Sequence, residues 1–253
     1  MPLPEPAKVR NRIENITNPA MRTCLQATYL LGAARICEIV GEPLGKEKAY
    51  GPRGTDIELT QYQPTPMDEV GDWILRRRLI NGEQIEPIAC AVFTVKIAKR
   101  KPLPREPVPT RLVGLPLDPK YEPWTAGLVD YWQSRGRELV FPFNRSDVWR
   151  YVTECGTFDG FVAPIARYYS MRKRKVEPAH SNPFKLHALR KLRFNELRMF
   201  YRFTGEERAA YVGWTLGSLQ RTGERHADME ATYGEIYHDW RTYFPKLLRS
   251  RQP

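Results

Sequence analysis

The stretch "NPFKLHALRKLRFNELRMFYRF", residues 182–203, constrains the fold more than any other part of the chain. Leu189, Leu192, Leu197 and Phe200 recur at helical spacing, so one side of a helix faces a core. The residues between them are strongly basic. His187 and Arg190 stand three apart and are therefore neighbours on the helix surface, with Lys191, Arg193 and Arg198 beyond them. An imidazole beside a guanidinium can present its donors to a single ligand, and the natural ligand of that pair is an oxyanion.

A chain of 253 residues with 42% hydrophobic content can bury one substantial core. Lys and Arg total 40 against 29 Asp and Glu, a net charge of +11. That surplus favours a polyanionic partner over a neutral small-molecule substrate. Cys24, Cys37, Cys90 and Cys155 are scattered and form no CxxC pair. They read as buried thiols in a reducing compartment, not as a disulfide frame or a zinc site. The opening "MPLPEPAKVRNRIENITNPA" lacks a signal-peptide core, and no segment approaches the roughly 20 apolar residues of a membrane span. A soluble, cytoplasmic protein without a membrane partner is expected.

Residues 1–16, rich in proline and charge, are expected to form a loose arm, and residues 17–253 one domain. Asn18-Pro19 opens a helix with a cap and a first-turn proline, and Gly32 and Gly41 punctuate the stretch into two helices, with Arg35 at the start of the second. "TDIELTQY" suggests a strand, and the Val- and Ile-rich "IEPIACAVFTVKIAKRK" a second one leading into a basic turn. The prolines of "KPLPREPVPTRLVGLPLDP" restrict any third strand to a sheet edge. Further helices are expected near 120–135, 145–156, 161–172 and 206–213. The fold class is α+β, mostly helical, with a small antiparallel sheet.

Five features carry chemistry: Arg35 in "AARICEIVG"; Lys96, Lys99 and Lys101 around the strand turn; His187 and Arg190; Trp214 in "YVGWTLG"; and Tyr233 and Tyr237 in "ATYGEIYHDW". Singly, each has an ordinary structural explanation, such as a weak surface pair between Arg35 and Glu38. Their order resembles that of the tyrosine recombinases, the phage integrase family. "GAARICEIVG" resembles the segment with that family's first arginine, "KLHALRKLRFNEL" its His-x-x-Arg box, and "GWTLG" its Gly-Trp or Gly-His box. The ending "WRTYFPKLL" resembles the tails of archaeal and archaeal-virus members.

The resemblance implies the catalytic fold of these DNA breaking and rejoining enzymes, and a reaction that needs neither metal nor other cofactor. Arg35 and Arg190 would hold the non-bridging phosphate oxygens, since guanidinium forks bind phosphate bidentately and keep their charge. A hairpin lysine would protonate the departing 5′ oxygen; Lys99 fits best, with Lys96 and Lys101 as alternatives. His187 and Trp214 would contribute ring N–H donors. A tyrosine would attack phosphorus to give a 3′-phosphotyrosyl link. A capping box from Thr232 to Glu235 favours Tyr237, whereas a helix beginning at Asp228 would favour Tyr233.

Lys191 replaces a histidine found in many members and, with Lys96, Lys101 and the run Arg172, Lys173, Arg174 and Lys175, is expected to contact DNA. The implied partner is double-stranded DNA, with dimers or tetramers assembling on it. His226 and His238 match no standard metal spacing. Only 34 residues precede Arg35, too few for the separate clamping domain of full recombinases. The expected function is site-specific cleavage and rejoining of DNA. A DNA-binding descendant without turnover and a type IB topoisomerase-like enzyme are the alternatives.

Overall fold

Asn18 and Pro19 do what their order predicts. The Asn18 side chain accepts a hydrogen bond from the Met21 amide at 3.0 Å and starts helix α2, Pro19–Leu30. The computed structural model describes residues 3–31, 36–40, 51–97, 110–163, 182–183, 186–213 and 239–250.

The expected loose arm is instead helix α1, Pro6–Glu14. Pro6 occupies the first turn, where its missing N–H costs nothing. Val9 and Ile13 are fully buried, and Arg10 pairs with Glu122 while its guanidinium lies 3.8 Å from the centre of the Trp124 ring. A proline-rich opening was the misleading signal; Val9 and Ile13, four apart, dock the helix together with Arg10 and with Glu14, which accepts from the Trp124 indole N–H at 2.7 Å.

Helix α3 is Ile36–Val40. The sheet comes next, with β1 (Ile57–Tyr62), β2 (Ile88–Lys96) and β3 (Thr110–Pro116) antiparallel in that order. β3 lies at the edge, the position its proline-rich flanks require. The register sets Leu59 opposite Ala91 and Phe93 opposite Val113. Alternation along the strands then gives the two faces different partners. Phe93 meets Trp132 of helix α5, Thr125–Ser134, edge to face at 5.3 Å. The opposite face, with Tyr62 and Gly114, is covered by the C-terminal segment. Trp240, in the helical turn Trp240–Thr242, lies over Gly114, and Phe244 contacts Tyr62 at 4.9 Å.

Between β1 and β2 the chain forms helix α4, Trp73–Ile80, which the sequence reading did not anticipate. Asp72 caps it by accepting from the Ile74 and Leu75 amides. Helix α6, Arg145–Glu154, begins with a capping box between Asn144 and Asp147.

A helix expected from residue 161 does not begin there. Val162–Ala163 is a short strand, β4, paired antiparallel with β5, Asn182–Pro183. Helix α7, Leu186–Met199, has the anticipated core face, since Leu189, Leu192 and Leu197 are buried and Phe200 packs against the core. Helix α8, Gly205–Val212, has its own capping box from Thr204 to Glu207 and ends at Gly213, whose φ of 68° suits glycine. The short helix α9, Phe244–Leu247, completes the described elements.

The chain is thus α+β with a small antiparallel sheet, as expected. Three cysteines are buried, but Cys155, just past α6, is exposed. Among the described residues no helix is long and apolar enough to cross a membrane.

Candidate functional site

The capping box at Asn144 fixes the first turn of α6 and so places Arg145 and Ser146 at its start, with Trp149 a turn further on. These three residues meet Ile36, at the start of α3, and Leu186 and His187, at the start of α7, around an open cleft of about 420 Å³. Ile36 and His187 stand about 150 residues apart in sequence. Arg145 and His187 bring cationic or donor groups, whereas Ile36, Leu186 and the half-exposed Trp149 supply apolar surface. Such a cleft suits an anion attached to an apolar or aromatic neighbour.

Arg190 lies one turn along α7 from His187 and is buried, 9% exposed, while His187 is exposed. The rest of that helix is held by a buried cation that the sequence reading assigned only to a basic run. Arg193 is 1% exposed and donates to Glu196 at 2.5 Å and to the Tyr211 hydroxyl at 2.9 Å. The rings of Tyr29, Tyr201 and Tyr211 surround its guanidinium at 5.3–5.6 Å. Tyr29 also donates to Glu196 at 3.0 Å, and Tyr211 to the Leu30 carbonyl. One charge, held through its two terminal nitrogens and three rings, therefore joins α2, α7 and α8.

A second buried arginine performs the same service on the sheet side. Arg111 of β3 donates to the carbonyl oxygens of Leu31 and Tyr211 and lies 3.7 Å from the Glu38 carboxylate. Burial lowers its pKa, and Glu38 opposes that change. Leu31 is four residues before Arg35, and Tyr211 three before Trp214. Arg111 thus fixes the chain where it leads into two of the expected site residues.

Arg35, Lys99, Lys101, Trp214, Tyr233, Tyr237 and the run Arg172, Lys173, Arg174 and Lys175 lie outside the described residues, as do His226 and His238. Of the remaining expected contacts, Lys191 is half-buried, and Lys96 donates to the Gly51 carbonyl at 3.3 Å. Lys96 faces Thr110 in the β2–β3 register, so the chain leaves and re-enters the sheet at adjacent positions around the 97–109 stretch. Likewise β4 and β5 bring residues 163 and 182 together at the two ends of the stretch that contains Arg172.

The cleft residues Arg145 and Trp149 were missed in the sequence, although the Asn144-x-x-Asp147 pattern was a usable sign of a helix start beside a basic residue. Arg111 left no such sign, because it stands in a proline-rich run. Among the described residues there is no group of three or more His, Cys, Asp or Glu side chains able to hold a metal ion. No family model, curated protein or solved structure matches this chain.

Proposed function

We propose that the chain binds double-stranded DNA and breaks and rejoins a strand through a 3′-phosphotyrosyl intermediate, with its α+β fold taken as a tyrosine-recombinase catalytic domain. The observation that carries this reading is the meeting of Ile36 and His187 on one cleft. Ile36 directly follows Arg35, so two motif segments far apart in sequence converge where a single phosphate could engage both.

The chemistry asked of the residues is that of a phosphoryl transfer without metal. Arg35, Arg190 and His187 would stabilise the charge that grows on the phosphate as a tyrosine attacks, and Trp214 would add an indole N–H. A lysine from the β2–β3 turn, Lys99 in this reading, would protonate the 5′ leaving oxygen. Arg145 adds a further cation at the cleft, and Trp149 an apolar surface for the sugar or base beside the phosphate. Copies of the chain would associate on DNA as dimers or tetramers.

The test is incubation with duplex DNA carrying a nick next to the cleavage position, which traps the covalent link, and then denaturing electrophoresis. A protein–DNA adduct is expected, and it should form in EDTA and without ATP. Tyr237→Phe should abolish it with DNA affinity nearly unchanged, while Tyr233→Phe retains it. The reverse result would move the nucleophile to Tyr233. Salt-sensitive DNA binding with no adduct from the wild-type chain would reject cleavage and leave a DNA-binding descendant. Loss of both binding and adduct would reject the nucleic-acid reading.

A further inference from the structure

Among the described residues, exposed large apolar side chains gather on and just before α4: Met67, Trp73, Ile74 and Ile80 are 91%, 71%, 68% and 65% exposed. The helix turns its Leu75 and Leu79 inward, where both are buried. At about 100° per residue, the direction opposite these two leucines belongs to Arg77. Trp73 and Ile74 lie one turn before Arg77 and Ile80 one turn after it, so all three are its surface neighbours. The apex of α4 is therefore an arginine whose neighbours are a tryptophan, two isoleucines and, at the helix end, the exposed Asn81. Arg78 pairs with Glu83 at 2.7 Å, but Arg77 has no carboxylate partner among the described residues.

The platform under this apex is firmly built. Asp72 caps the helix and accepts from Lys120 at 2.6 Å. The preceding Gly71 amide donates to the Pro245 carbonyl at 3.0 Å, and a Cβ at Gly71 would come within 2.7 Å of the Lys246 carbonyl oxygen. The exposed face is thus displayed in one orientation, which lowers the ordering cost of binding.

We propose that this face of α4 is a docking surface for a protein partner that offers a carboxylate set among apolar side chains, with Arg77 as the anchor. Trp73, Ile74 and Ile80 gain by being covered, and covering them desolvates Arg77, which then requires a matching anion. A carboxylate in an apolar pocket meets both needs through a bidentate pair. The other surfaces fit less well. A bilayer would receive the charged apex before the apolar ring. A DNA backbone offers phosphates and sugars but no apolar pocket that would cover a tryptophan and two isoleucines together. In addition, α4 joins β2 at Ile88, roughly 25 Å of strand away from Lys96 at the other end. A second copy paired two-fold through antiparallel α4 helices would set Arg76 and Arg77 against their own counterparts, and like charges there repel.

The experiment selects short random peptides displayed on phage against the full chain, with counter-selection on Arg77→Glu. Enriched peptides should contain Asp or Glu flanked by large apolar residues. Their synthetic copies should bind the wild-type chain about tenfold or more tightly than Arg77→Glu or Trp73→Ala, as anchor residues do. Both substitutions fall on exposed side chains, so matching circular dichroism and unfolding midpoints will show that the variants are folded. The proposal is overturned if no peptide enriches, if the winners lack an acid, or if they bind Arg77→Glu equally well. It is also overturned if vesicles containing phosphatidylglycerol, or duplex DNA, bind the wild type but not Arg77→Glu while the selected peptides do not. The outcome is independent of whether the chain cleaves DNA.

Discussion

Nη2 of Arg111 donates to the carbonyl oxygen of Leu31 at 2.7 Å, a bond between β3 and the end of α2 that spans 80 residues of sequence. The same guanidinium holds Tyr211 and stands beside Glu38, and its side chain is fully buried. Arg111→Ala takes the cation from this arrangement, and a loss of about 3–5 kcal/mol in unfolding free energy is expected. Arg111→Lys should recover only part of it, because an ammonium lacks the fork that reaches both carbonyls. Urea unfolding decides the matter; an alanine variant as stable as wild type would remove Arg111 from its organising role.

Gly114 is small because Trp240 lies against it. A Cβ there would sit 2.3 Å from the indole Cε3 atom. Gly114→Ala should cost about 1–3 kcal/mol by forcing the C-terminal segment off the sheet. Combining it with Trp240→Phe, which makes room, should cost less than the sum of the two single changes. Strict additivity in thermal unfolding would show that the two positions do not compete for space.

Asp72 makes a contribution to stability that acid removes. Burial pushes its carboxyl pKa up, but the bond from Lys120 and the capped amides of Leu75 and Ile74 more than offset this and hold it below the usual carboxylate value. A lowered folded pKa stabilises the native state above the unfolded value near about 3.9, and that contribution disappears as pH falls through the folded value. Asp72→Ala should therefore cost about 1 kcal/mol at neutral pH, with the gap from wild type narrowing below about pH 4. A gap that stays constant into strong acid would contradict the assignment.

Thiol chemistry should separate Cys155 from the other three cysteines. Cys24, Cys37 and Cys90 are buried, and burial raises the Cys24 thiol pKa and pushes that of Cys90 to about 12. Under native conditions a disulfide reagent should label Cys155 rapidly and the others only on unfolding. Cys155→Ser should abolish the rapid phase. Rapid labelling that survives this change would mean that one of the three buried sites opens.

Arg145 provides a check on the cleft that is separate from the nucleophile. If it touches a phosphate, Arg145→Ala should weaken duplex binding for all sequences alike and reduce the salt slope by about one. An unchanged slope in fluorescence anisotropy titrations would place DNA elsewhere on the molecule.

Local rules determined a good part of this protein from its sequence. Leu189, Leu192 and Leu197 gave α7 its buried face through spacing alone, Asn18 and Pro19 set the start of α2, and the prolines around β3 kept that strand at the edge. Each depends on residues close together in the chain, so each can be read from a short window. Tertiary structure decided what windows cannot hold. Arg193 belongs to the same basic run as the half-buried Lys191, yet it is almost wholly buried because Tyr29, Tyr201 and Tyr211 gather around it. Arg10 became a core residue only when Glu122 and Trp124 arrived from across the fold. The cleft shared by Ile36 and His187 has the same origin. A buried charge is tolerated only where distant groups converge on it, and that convergence is a property of how the helices and the sheet pack together, not of the order of residues around the charge.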